Sequence, residues 1–109
     1  MVLHFQGYIG SGGSPVDGPG QFKFALVGAD DTISWSNAPV PEGADQPPDS
    51  DFVAVNVDHG FYAVRLGDST LGNMAPLTLE ALQVEGLKLR IWFNDGQQGF
   101  ELLSPDQPI

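Results

Sequence analysis

Five aspartates, Asp30, Asp31, Asp45, Asp49 and Asp51, are the residues of this chain that come nearest to metal chemistry. Calcium takes about six to eight hard oxygen ligands, and carboxylates carried on loops at one end of a β fold can supply several of them. The spacing matches no EF-hand or repeat loop, so a calcium site exists here only if folding brings these loops together. Solvated loop acids are the plainer reading. Carbohydrate binding is the second candidate. Tyr8 and Trp92 fall on the polar side of alternating segments, where exposed aromatic faces stack against sugars. A shared platform requires those two segments to be neighbours.

Catalysis finds less support. His4 and His59 are the only imidazoles, and there is no cysteine at all. His4 alternates onto the polar side of its segment, and His59 precedes Gly60 in turn chemistry that explains it without a catalytic role. The chain has no nucleophile elbow, phosphate loop, HExxH or zinc-ligand cluster. Glycoside hydrolysis needs two carboxylates on rigid elements at fixed separation, whereas these acids crowd the loops. The expectation is a non-enzymatic protein with no cofactor.

Composition narrows the partners. Fourteen Asp plus Glu against four Lys plus Arg give a net charge of −10, which disfavours phosphate backbones and anionic membrane surfaces. Nucleic acid is therefore excluded as an expected partner. No apolar run approaches the roughly 18 residues of a spanning helix, and Met1 to Gly7 lacks the regions of a signal peptide. Membrane insertion is not expected, and any export signal must lie outside this chain. The 109 residues suffice for one domain, residues 1–109.

The elements that must position these residues are strands. Phe52 to Gly67 reads as a β-hairpin around a two-residue His59-Gly60 loop, with Val57 opposite Tyr62, Val55 opposite Val64 and Val53 opposite Leu66. Leu3, Phe5 and Ile9 alternate with His4, Gln6 and Tyr8 in a first strand, which ends in the Gly10 to Pro15 loop. Phe22, Phe24 and Leu26 alternate with Lys23, Ala25 and Val27. Thr32 to Ser36 is a short strand around Ile33 and Trp35, the latter read as a core tryptophan. Leu89, Ile91 and Phe93 alternate with Lys88, Arg90 and Trp92 before the Asn94-Asp95-Gly96 turn, and Phe100 to Leu103 returns as a seventh strand. Pro76 to Gln83 has room for one or two helical turns, stopped by Gly86.

Seven short strands punctuated by Gly, Pro, Asn and Asp predict an all-β, antiparallel immunoglobulin- or fibronectin-like sandwich with one helical turn. A jelly roll or partly open barrel is the alternative. The four basic residues, Lys23, Arg65, Lys88 and Arg90, all fall on the face opposite the core, where they should keep the sheet wet. The least ordinary segment is residues 37–51, an acidic loop with four prolines and no amphipathic period. Connections this long without secondary structure are uncommon, and this one reads as a solvated loop or a functional one.

The order of motifs resembles a known family. Leu3-His-Phe-Gln-Gly-Tyr-Ile9, then Ser14-Pro-Val-Asp-Gly18, Phe22-Lys-Phe24 and Trp35-Ser36 resemble a family of β-sandwich modules in large exported bacterial proteins, whose pattern opens "YQG" and continues "G-PV-G". The hairpin is similar to that family's "V-NG-FSV-LG", with His59 in place of Asn, and Phe100 to Pro108 is similar to its "ELSPRQPL". The segment between Trp35 and Phe52 is longer and more acidic than in that pattern, and the "SVPYA" that normally follows is missing, as in an excised domain. The resemblance implies a structural or adhesion module of an extracellular, cell-surface or fibre-like protein. Its expected partners are neighbouring domains or subunits, with oligomers among them, and a glycan or surface protein as ligand.

Overall fold

The computed structural model describes residues 1–11, 14–97 and 99–109, so Gly12 and Gly13 of the expected Gly/Ser loop lie outside the described residues. The strands are β1 (Leu3–Tyr8), β2 (Gly10–Ser11), β3 (Ser14–Pro15), β4 (Gly18–Val27), β5 (Ile33–Ser36), β6 (Val53–Val57), β7 (Phe61–Leu66), β8 (Lys88–Asn94), β9 (Glu101–Leu102) and β10 (Gln107–Pro108). One short helix, α1 (Leu79–Leu82), lies between β7 and β8, with Thr78 Oγ1 accepting from the Ala81 N–H at its start. Among the described residues all pairings are antiparallel and no barrel closes, so the expected all-β sandwich is what forms.

Its two layers are unequal. The large sheet is built on β4 and β8, which pair from Gln21↔Asn94 to Val27↔Lys88. The far edge of β4 is shared by β6 on its first half and β5 on its second. The far edge of β8 is shared in the same way by β9 and β10. Facing this sheet is a ribbon of two strands, β1 and β7, in register from Leu3↔Leu66 to Tyr8↔Phe61. A third, small pair joins β2 to β3.

The hairpin forms its turn but not its ladder. Asp58 and Phe61 exchange backbone bonds of 2.8 and 2.9 Å around His59 and Gly60, whose φ angles of 50° and 88° are those of the tight turn. Beyond it the strands part: Val57 pairs with Gly18 of the large sheet, and Tyr62 with Gly7 of the ribbon. The turn is thus a corner of the sandwich. Val53, Val57, Tyr62, Val64 and Leu66 are all buried, but the two sets meet across the core instead of side by side.

Between β5 and β6 the edge of β4 has a gap, and Asn37 fills it. Its N–H donates to Phe24 O (3.0 Å), and its Oδ1 accepts from the Phe24 N–H (2.8 Å), so a side-chain amide stands in for a strand carbonyl. Its Nδ2 donates to Asp51 O (2.8 Å) and Asn73 O (3.1 Å). A residue 1% exposed thereby ties both ends of the following loop to the sheet.

The outer face of the large sheet is not wet. Ala25, Val27 and Trp92 form a second apolar cluster there, joined by Ile33 and Phe100. Residues 37–51 fold over this face, and Pro47 is fully buried. The expectation that all four cations sit on a solvated face is therefore corrected for two of them. Lys23 is 0% exposed, and Arg90 is mostly covered; Arg65 and Lys88 do lie in solvent.

Candidate functional site

The structure commits the candidate calcium ligands elsewhere and does not bring them together. Asp30 closes a local turn by accepting from the Thr32 N–H (3.1 Å), and this bond to Thr32 holds its carboxyl below the usual range. Asp31 pairs with Arg90 at 2.8 Å. Asp49 pairs with Lys23 at 2.6 Å. Among the described residues the carboxylates of Asp45 and Asp51 meet only their neighbours Gln46 and Ser50, at 3.5 Å each. Loops that seemed free to converge are pinned to the large sheet by the buried Lys23 and the mostly covered Arg90.

Lys23 shows how this works. Its ammonium donates to Gln46 Oε1, to the Pro47 carbonyl at 3.0 Å and to Asp49 Oδ1, and it lies 4.4 Å from the centroid of the Phe100 ring. A buried ammonium is tolerated only when each of its protons finds an acceptor. The acidic loop provides them. Arg90, on the neighbouring strand opposite Ala25, does the same, with Nε and Nη2 on the Asp106 carboxylate (2.8 to 3.2 Å) and Nη2 also on Asp31. These bonds, led by Asp106, push the guanidinium pKa still higher, so it is charged at every relevant pH.

The sugar platform is corrected as well. Tyr8 and Trp92 lie in different layers, and Trp92 is 5% exposed in the outer cluster, because residues 37–51 and Phe100 cover that face. Tyr8 does remain in solvent, at 57%. Its companion is Phe61, 65% exposed, with ring centroids 5.0 Å apart in an edge-on arrangement. Phe61 alternates with the buried Tyr62 and Val64 along β7, and only the β1–β7 register brings it beside Tyr8.

Two features went unseen in the sequence. Among the described residues, the one three-member cluster of metal-type ligands is Asp17, Asp58 and His59, all exposed at the corner turn. The Asp58 carboxylate accepts from His59 Nδ1, and Asp17 Oδ1 accepts from the His59 N–H (3.3 Å); the bond to Asp58, then the charge of Asp17, raises the imidazole pKa. The second feature is a groove of about 210 Å³ beside β1, walled by Phe5, Gly7, Tyr8 and Ile9 on one side and by Ile91, Leu103, Ser104 and Gln107 on the other. Tyr62 reaches into it. The tyrosine is 6% exposed, its hydroxyl has no hydrogen-bond partner among the described residues, and burial pushes its pKa up to about 12. The sequence signal was Gly7, which leaves the middle of β1 bare: a Cβ there would lie 2.5 Å from the Tyr62 oxygen.

No helix among the described residues is long and apolar enough to cross a membrane. No curated protein and no solved structure matches the chain. One family model does, over residues 4–106, from the second residue of β1 through the whole of β9. The chain therefore belongs to the family described as Domain of unknown function (DUF8740).

Proposed function

We propose that this domain is a non-enzymatic structural or adhesion module of an exported bacterial surface or fibre-like protein. The observation that carries the reading is where the polar side chains go. Lys23, Asn37 and Asp68, the buried polar residues, and the mostly covered Arg90 are all spent on bonds that hold loops or turns to the sandwich. A catalytic centre keeps such groups poised at a cleft with perturbed protonation. Here they act as fasteners, which suits a part that carries load and presents a surface. The motif resemblance supports the extracellular setting, with neighbouring domains or subunits as the first contacts. Antibody raised against the folded domain should label intact bacterial cells or shed fibres, and labelling only after permeabilisation would sink the assignment.

A ligand-binding module is the second reading, and the exposed Tyr8–Phe61 pair favours it for a glycan. Binding on a glycan array that disappears in Phe61→Ser would support it. A calcium role predicts a higher melting midpoint in millimolar calcium, since a ligand of the native state stabilises by mass action.

A further inference from the structure

We infer that the open edge of β1 is a docking slot for an extended peptide segment, which adds as a strand beside β1 and carries alternating apolar side chains with a basic residue at one end.

The edge is open by register. Phe61 exchanges its backbone bonds with Asp58, and Ile9 donates to Gly60 O, so in the β1–β7 ladder Leu3, Phe5 and Gly7 turn their peptide groups toward β7. The groups of His4, Gln6 and Tyr8 therefore point the other way, where β1 has no partner strand among the described residues. Proteins usually blunt such edges with proline, lysine or a bulge. β1 has none of these across Leu3–Tyr8.

The space beside the edge is shaped for a strand. The ribbon has two strands, whereas the sheet facing it is four strands wide, so the flank with Ile91 and Leu103 is left without a roof. The groove there, about 210 Å³, sets the apolar side chains of Phe5, Ile9, Ile91 and Leu103 among polar groups that include Ser104 and Gln107, a mixture that suits a peptide with both main-chain and side-chain contacts. The side chain of Tyr62, 6% exposed as a whole, lines it, and its hydroxyl has the chemistry of a donor to a peptide carbonyl. Past Ile9, Gly10 and Leu103 the groove continues into a smaller one bounded by Asp95 and Glu101, neither in an ion pair among the described residues. On a chain of net charge −10, that end favours a cation. Strand addition of this kind takes affinity from main-chain bonds and specificity from alternate side chains.

This deepens the proposed function by naming a partner class and rests on it only for the setting, since cell labelling and peptide binding fail separately. The probe is a synthetic peptide of alternating valine and threonine with lysine at each end, titrated into the full chain by amide NMR. Expected are saturable binding, hydrogen-exchange protection at the His4, Gln6 and Tyr8 amides, and weaker binding when glutamate replaces lysine. Gln6→Pro removes an amide that faces away from β7, so it should abolish binding while the melting midpoint holds. Tyr62→Phe should weaken binding roughly fivefold, the worth of one hydrogen bond. No binding at millimolar peptide, unchanged affinity in Tyr62→Phe or in folded Gln6→Pro, or a wild-type chain that dimerises through β1 without peptide would each overturn the inference.

Discussion

Replacing Lys23 with methionine tests whether the buried cation holds the acidic loop on the sheet. The methionine stem fills nearly the same space, so the change isolates the ammonium. Three acceptors lose their donor: Gln46 Oε1, Pro47 O and Asp49 Oδ1. Asp49 is 75% exposed and can turn to water, but Pro47 is fully buried and its carbonyl cannot. An orphaned buried acceptor costs about 1–3 kcal/mol, and the lost contact with the Phe100 ring adds about 1 kcal/mol. Relief of the ammonium's own desolvation offsets part of this. The net expectation is a loss of about 2 kcal/mol, a drop of about 8 °C in melting midpoint for a chain of this size. Hydrogen exchange should rise first across residues 44–51. Asp49→Asn should cost less than about 1 kcal/mol, because its carboxylate is solvated, and Lys88→Met, whose side chain is exposed, should change stability by less than about 0.5 kcal/mol. Urea denaturation of the three variants decides the matter. A Lys23→Met protein as stable as wild type, with loop exchange unchanged, would refute the fastening role.

Gly60→Ala should destabilise by more than about 2 kcal/mol in urea unfolding, since the residue sits at φ 88° and a Cβ would lie 2.5 Å from the Tyr8 ring and 2.9 Å from Ile9 O. Arg90→Met should cost about 1–3 kcal/mol and release residues 103–108 to rapid hydrogen exchange while the β1–β7 ribbon stays protected. The raised His59 pKa means that protonation favours the fold. Its contribution is complete below the ordinary histidine value near 6.5 and is lost as pH rises through the raised one, so wild type should lose stability across that window while His59→Asn does not. NMR titration of the imidazole gives the midpoint directly.

Alternation of apolar residues was enough to read the strands and their buried faces. Val53, Val57, Tyr62, Val64 and Leu66 are buried as their spacing demands, and Asp58-His59-Gly60-Phe61 makes the tight turn its residue types favour. Such spacing says which way a side chain points, not what it meets. A valine facing a tyrosine beside it in one sheet and a valine facing a tyrosine across two sheets leave the same pattern, and for this reason the hairpin ladder was expected where a corner formed. The same ambiguity hid Lys23 and Trp92. A period of two marks a face opposite the core, and only the path of residues 37–51 over that face makes it an interior.

By itself, the sequence determined the class of fold, the turn at His59-Gly60 and the acidic balance of the surface, because these follow from side-chain type and local backbone preference. The tertiary structure alone decided which layer each strand joins, that Lys23 and Arg90 gather the aspartates, and that β1 keeps a bare edge beside the Tyr62 hydroxyl. Those outcomes depend on contacts between residues far apart in the chain, and such contacts are selected by burial and hydrogen-bond satisfaction of the whole molecule, not by any local pattern.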